Sequence, residues 1–97
     1  MTKAELIREI AEKTGIDRAV VEATVEAFMT SIKEHILKKE TVSLRGFGNF
    51  ITKKRAAKIA RNISKNTAIN LPAHYIPKFR PSKKFSDKVK KSSQIIF

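Results

Sequence analysis

Apolar positions recur at two spacings along the chain, and the change of spacing divides it. Leu6, Ile7, Ile10 and Ala11 fall three and four residues apart, the period of a helix with one covered face. Thr2-Lys3-Ala4-Glu5 precedes them as a capping box, and Thr14-Gly15 closes the segment, with Gly15 suited to the left-handed position beyond a helix end. Asp17 then sits where a second helix needs an N-cap, with Ile16 and Val21 spaced as a hydrophobic staple. Val21, Val25, Phe28, Met29, Ile32, Ile36 and Leu37 continue at helical steps and predict a long amphipathic helix over about residues 18–38. A stripe of that length needs more cover than the short first helix supplies, so core and subunit interface are its expected roles.

From residue 41 the period shortens to two. Thr41-Val42-Ser43-Leu44 alternates as a half-buried strand, and Gly46-Phe47-Gly48 interrupts it with glycines that allow a tight turn. Residues Asn49 to Lys58 read as a long strand. Ile69-Asn70-Leu71 and Tyr75-Ile76-Pro77-Lys78-Phe79 form a return path punctuated by Pro72, Pro77 and Pro81, each without an amide donor and therefore suited to an edge, a bulge or a strand end. Ser82 caps a short final helix carrying Phe85 and Val89; residues 92–97 show no periodicity. Between Arg55 and Ala73 the only bulky apolar residues are Ile59, Ile63, Ile69 and Leu71. That is too few for a core, and the stretch reads as a two-stranded arm turning near Ser64-Lys65-Asn66-Thr67, orderly only against a partner.

Charge sharpens the division. The chain has 97 residues and a net charge of +12. Residues 1–40 carry seven bases and eight acids, whereas residues 41–97 carry fourteen bases and a single acid, Asp87. A stretch of forty-six residues without a carboxylate points to a polyanion, nucleic acid before anionic membrane. The length fits one domain. With no cysteine, disulfides, thiolate metal sites and cysteine nucleophiles are excluded. No apolar run reaches a membrane span, and no export signal is expected at the charged start. His35 and His74 have no triad or second-histidine arrangement, and Gly46-Phe47-Gly48 does not lead from a strand into a helix as a phosphate loop would. No catalysis, metal, cofactor or small-molecule substrate is expected.

Five motifs in order, Gly46-Phe47-Gly48-Asn49-Phe50, Arg55-Ala56, Arg61-Asn62, Ile76-Pro77-Lys78-Phe79 and Lys83 before a closing helix, resemble the bacterial HU and integration host factor family of DNA-bending proteins over about residues 1–90. The resemblance implies an α+β fold: a helical base of two N-terminal helices, a three-stranded antiparallel sheet with an extended β-ribbon arm, and a short C-terminal helix, in an intertwined dimer. On that plan residues 1–97 are one DNA-binding domain, with a helical dimerisation part (1–40), a saddle sheet (41–54 and 74–81), an arm (55–73), a C-terminal helix (82–91) and a tail (92–97).

The resemblance further implies DNA contacts from Lys3, Lys53, Arg55, Lys58, Arg61, Asn62, Ile63, Lys65, Lys78, Arg80, Lys83 and Lys84, and a dimer core of Val25, Phe28, Met29, Ile32, Ile36, Leu44, Phe47, Phe50 and Phe79. Two departures touch the arm tip: Ile63 stands where the family usually has proline, and Lys65-Asn66 where its turn usually contains glycine. Ile63 is a β-branched apolar residue with no core to join, which suits a wedge between base steps. The implied function is architectural: binding duplex DNA through minor-groove arms with little sequence preference, bending and compacting it in a cytoplasmic, nucleoid-associated setting. The expected assembly is a homodimer, with a heterodimer of related subunits as the alternative. A site-guided bending factor of the integration host factor type and, from another class, a basic RNA-binding or ribosomal protein are the rival readings.

Overall fold

The computed structural model describes residues 1–62 and 67–92, with side chains described for 1–59 and 70–92. Its elements are α1 (Lys3–Thr14), α2 (Arg18–Leu37), β1 (Val42–Leu44), β2 (Gly48–Arg55), β3 (Lys58–Asn62), β4 (Thr67–Leu71), β5 (His74–Pro81) and α3 (Lys83–Ser92). They fall into two compact units, Met1–His35 and Ile36–Phe97. The seam lies inside α2, ahead of the boundary at residue 40 that the charge division suggests. The last helical turn belongs with the sheet: the Thr52 hydroxyl donates to the Ile36 carbonyl at 3.4 Å, and the Lys39 ammonium lies 4.2 Å from the centre of the Tyr75 ring.

In the first unit both ends of α1 form as their residues dictate. The Thr2 hydroxyl accepts from the Glu5 amide while the Glu5 carboxylate reaches back to the Thr2 amide. Gly15 closes the helix at φ 72°, its amide donating to the Ala11 carbonyl. At the start of α2 the Asp17 carbonyl accepts from Val20 and Val21. Ile10, Ile16, Val20, Val21, Thr24 and Val25 line an apolar groove of about 270 Å³ between the two helices. Among the described residues only Ile7 and Val21 are buried apolar side chains, at 3% and 4% exposure. Phe28 remains 48% exposed, and Val25, Met29 and Ile32 are half-buried.

In the second unit β1, β2 and β5 form an antiparallel sheet in the order β1-β2-β5, and β3 and β4 form a separate two-stranded ribbon. Sheet and ribbon share one register. From Gly48 paired with Pro81 to Arg55 with His74, and again from Lys58 with Leu71 to Asn62 with Thr67, every paired couple of residue numbers adds to 129. The long strand expected over Asn49 to Lys58 is therefore interrupted at Ala56-Ala57 and resumes without slipping. Continued pairing would set those two residues opposite Ala73 and Pro72. Proline has no amide to give the ladder, and alanine has little strand preference to hold it. The break leaves a defined joint between sheet and ribbon.

The two glycines around Phe47 do different jobs. Gly46 takes φ 84° in a turn closed by the Phe47 amide on the Leu44 carbonyl at 2.9 Å. Gly48 is needed for space: a Cβ there would stand 2.6 Å from both the Arg80 carbonyl oxygen and the Phe79 ring. Ser82 ties the turn to α3. Its amide donates to the Phe47 carbonyl and its hydroxyl to the Gly46 carbonyl, while its oxygen accepts from the Phe85 amide as the helix cap.

Candidate nucleic-acid interface

Strand alternation decides which cations gather. In the β2–β5 register Asn49 pairs with Arg80, Ile51 with Lys78, Lys53 with Ile76 and Arg55 with His74, so these residues share one face of the sheet. Phe50, Thr52, Lys54, Tyr75, Pro77 and Phe79 share the other. The first face carries Lys53, Arg55, Lys78 and Arg80, all exposed. Lys53 and Lys78 are diagonal neighbours on it. Their closeness holds the Lys78 ammonium below its ordinary pKa, first by the charge of Lys53 and contact with it, then by desolvation and by Arg80 and Arg55. Like charges crowd at a cost, which an anion laid across them would relieve.

The opposite face carries half-buried Phe50, Thr52 and Phe79 beside exposed Lys54, Tyr75 and Pro77. Phe79 lies 4.9 Å from both Phe47 and Phe50, ring centre to ring centre, and Phe47 stacks on Phe85 at 5.6 Å. Phe47, Phe50 and Phe79 are thus brought together, with Phe85 as a fourth member marked in the sequence only by its place on the final helix. Leu44, Ile36, Phe50 and Phe79 are half-buried and Phe47 is 46% exposed, so a single chain leaves this cluster partly open. Lys54 is drawn to the core side by parity alone, opposite Tyr75.

The remaining expected contacts are spread out. Lys58 sits at the base of the ribbon opposite Leu71; Arg61 and Asn62 occupy β3 positions opposite Ala68 and Thr67. Ile63 and Lys65 lie outside the described residues. Lys83 and Lys84 are exposed in the first turn of α3. Lys3, in the first unit, is ion-paired with Glu26, whose hydrogen bond and charge raise its pKa. Nothing in its spacing announced that partner, which lies twenty-three residues away on another helix.

A helical pair, a sheet with one cationic face and a jointed basic ribbon define a small α+β protein with its charge displayed on strands. Residues 1–90 match the family described as "Bacterial DNA-binding protein", and the chain belongs to that family. It is 43% identical over 91 residues to the DNA-binding protein HU of Clostridium pasteurianum, covering 94% of this chain and all of that one. It is 39% identical over 90 residues to the DNA-binding protein HU of Geobacillus stearothermophilus, covering 93% of this chain and all of that one. Among solved structures, an Anabaena HU–DNA cocrystal matches with a TM-score of 0.86 at 34% identity, covering 92% of this chain and 97% of that one.

Proposed function

We propose that this chain is a histone-like architectural protein that binds duplex DNA as a dimer, bends it and compacts it with little sequence preference. The observation that carries the reading is the placement of Lys53, Arg55, Lys78 and Arg80 on one sheet face at the root of the ribbon. Such a surface fits a phosphate lattice and supplies no sequence readout. The relatives named DNA-binding protein HU and the HU–DNA cocrystal support the same partner.

On this reading the cationic face lies against the duplex, and Arg55, Lys58, Arg61, Asn62 and Lys65 follow the minor groove along the arm, with Ile63 as the wedge. Lys83, Lys84 and Lys3 meet flanking phosphates; Lys3 must exchange Glu26 for phosphate to do so. Preference for sequence enters through the duplex's deformability. The exposed and half-buried apolar residues of α2 and the open aromatic cluster support a second copy of the chain as their cover, since single soluble chains rarely leave such surfaces bare. The protein acts as a DNA-organising component of the nucleoid in the cytoplasm and performs no catalysis.

The test combines selection from a random DNA pool with a salt titration, using this chain alone. If about 8–10 phosphates are contacted, log affinity falls against log salt with a slope of about −7 to −9. Selection should enrich for flexible or pre-bent DNA. A sharp sequence motif would favour site-guided bending, and preference for an A-form RNA duplex would overturn the DNA reading.

A further inference from the structure

His74 opens β5 on the cationic face, directly opposite Arg55, and its side chain is exposed. Lys53 is its diagonal neighbour there, and Lys78 and Arg80 follow along the same row. Lys54 and Tyr75 lie on the other face, with the Lys39 ammonium over the Tyr75 ring, and Lys58 begins the ribbon. Apart from Tyr75 these neighbours are all bases, and the chain places no carboxylate between Glu40 and Asp87. Histidine alone among these residue types ordinarily changes charge between about pH 5 and 8.

A backbone carbonyl decides where the ring keeps its proton. His74 Nδ1 lies 3.0 Å from the Pro72 carbonyl oxygen. A carbonyl only accepts, so Nδ1 donates and the neutral ring carries its hydrogen there. Nε2 is then a bare lone pair with nothing to give a phosphate oxygen, and changing tautomer would forfeit the Pro72 bond. Protonation turns Nε2 from acceptor into donor and adds a charge beside Arg55, while the Pro72 bond stays in place.

We infer that His74 is a proton-operated phosphate contact, silent when neutral, that tightens binding of duplex DNA as the solution is acidified. The inference rests on the function proposed above. The occupant follows from the row itself: an anion laid across Arg55, Lys53 and Lys78 is what offsets one more positive charge among them.

The test uses the full chain and a mixed-sequence duplex, with fluorescence anisotropy over a salt series at about pH 5.5 and about pH 7.5. Acidification should steepen the wild-type salt slope by about 0.9 per chain, or about 1.8 for a dimer, so the gain in affinity should be about twelvefold larger at 50 than at 200 mM salt. His74→Gln should keep the shallower slope at both pH values, and His74→Lys the steeper one at both. His35→Gln, which removes the other histidine, should respond to pH as wild type does. Calorimetry in two buffers of different ionisation enthalpy should find protons taken up on binding by wild type and His35→Gln, and none by either His74 variant. Equal wild-type slopes at the two pH values, or a pH response that survives in His74→Gln or vanishes in His35→Gln, overturns the inference. A measurement without any variant guards against misfolding: nitrogen-15 spectra of the free wild-type protein should show the neutral His74 ring protonated on Nδ1, and a ring protonated on Nε2 also overturns it. Wild-type protein that binds no duplex DNA at either pH would instead sink the proposed function itself.

Discussion

Replacing Lys53 by glutamine should move stability and binding in opposite directions. In the free protein Lys53 is the leading cause of the depressed Lys78 pKa. A base whose folded-state pKa lies below its unfolded value destabilises the fold while it is charged. That penalty is whole below the folded value and vanishes as pH rises through the folded and then the unfolded value. At pH 7 the Lys53→Gln protein should therefore melt slightly above wild type, and the gain should fade at high salt and above about pH 11. On DNA the sign reverses. Phosphates relieve the crowding, so Lys78 should titrate higher in the complex than in the free protein. Removing one phosphate-neutralising cation flattens the salt slope by about 0.9, or about 1.8 for both copies of a dimer, so the variant's affinity deficit should shrink about twelvefold between 50 and 200 mM salt. Thermal melts and anisotropy titrations on the same samples read both effects, and a carbon-13 titration of the Lys78 side chain follows its pKa directly. A lower melting point together with an unchanged salt slope would refute the reasoning, because Lys53 would then be a packing residue and not part of the anion-facing surface.

Gly48→Ala should cost about 1–3 kcal/mol, a melting temperature drop of roughly 10 °C, because the new methyl meets a backbone carbonyl and the Phe79 ring at once; a shift under about 2 °C would show that the sheet can yield. Phe28→Glu should abolish the dimer and with it the fold, measured by sedimentation and circular dichroism, since a carboxylate would enter the apolar stripe of α2; a well-folded monomer would count against it. Lys39 stands at φ 61°, which glycine would adopt freely, but its ammonium rests on Tyr75. Lys39→Gly should therefore be near neutral in wild type and stabilising by about 1 kcal/mol in a Tyr75→Leu background, by a double-mutant melting cycle. At the arm tip, Ile63→Ala should reduce the bend of a short duplex, read by end-to-end fluorescence transfer at saturation, with little change in salt dependence; an unchanged bend would leave charge neutralisation as the source of bending.

Much of the architecture was legible because its determinants are local. Thr2 and Glu5 cap a helix that begins between them, Gly15 ends it, and the three-four spacing from Val21 to Leu37 specifies a helix without reference to anything distant. The crowding of bases after residue 40 is likewise a property of the chain alone, and it named the class of partner. The cationic sheet face was not written there, because a strand residue's face depends on register, and register joins residues up to thirty-three positions apart. Lys53 and Lys54 are neighbours of identical chemistry; the pairing of Gly48 with Pro81 sends the first to the cationic face and the second toward Tyr75. The same pairing makes Gly48 a residue of close approach, where its spacing from Gly46 suggested only a turn. Continued without a break it would set Pro72, which has no amide to give, opposite Ala57, and the pairing stops there between sheet and ribbon. Lys3 and Glu26, on separate helices, meet only when those helices pack. Helix signals act over one turn and survive in the sequence as spacing. Sheet faces arise from pairings across long intervening chain, so only the folded structure decides which lysine faces which way.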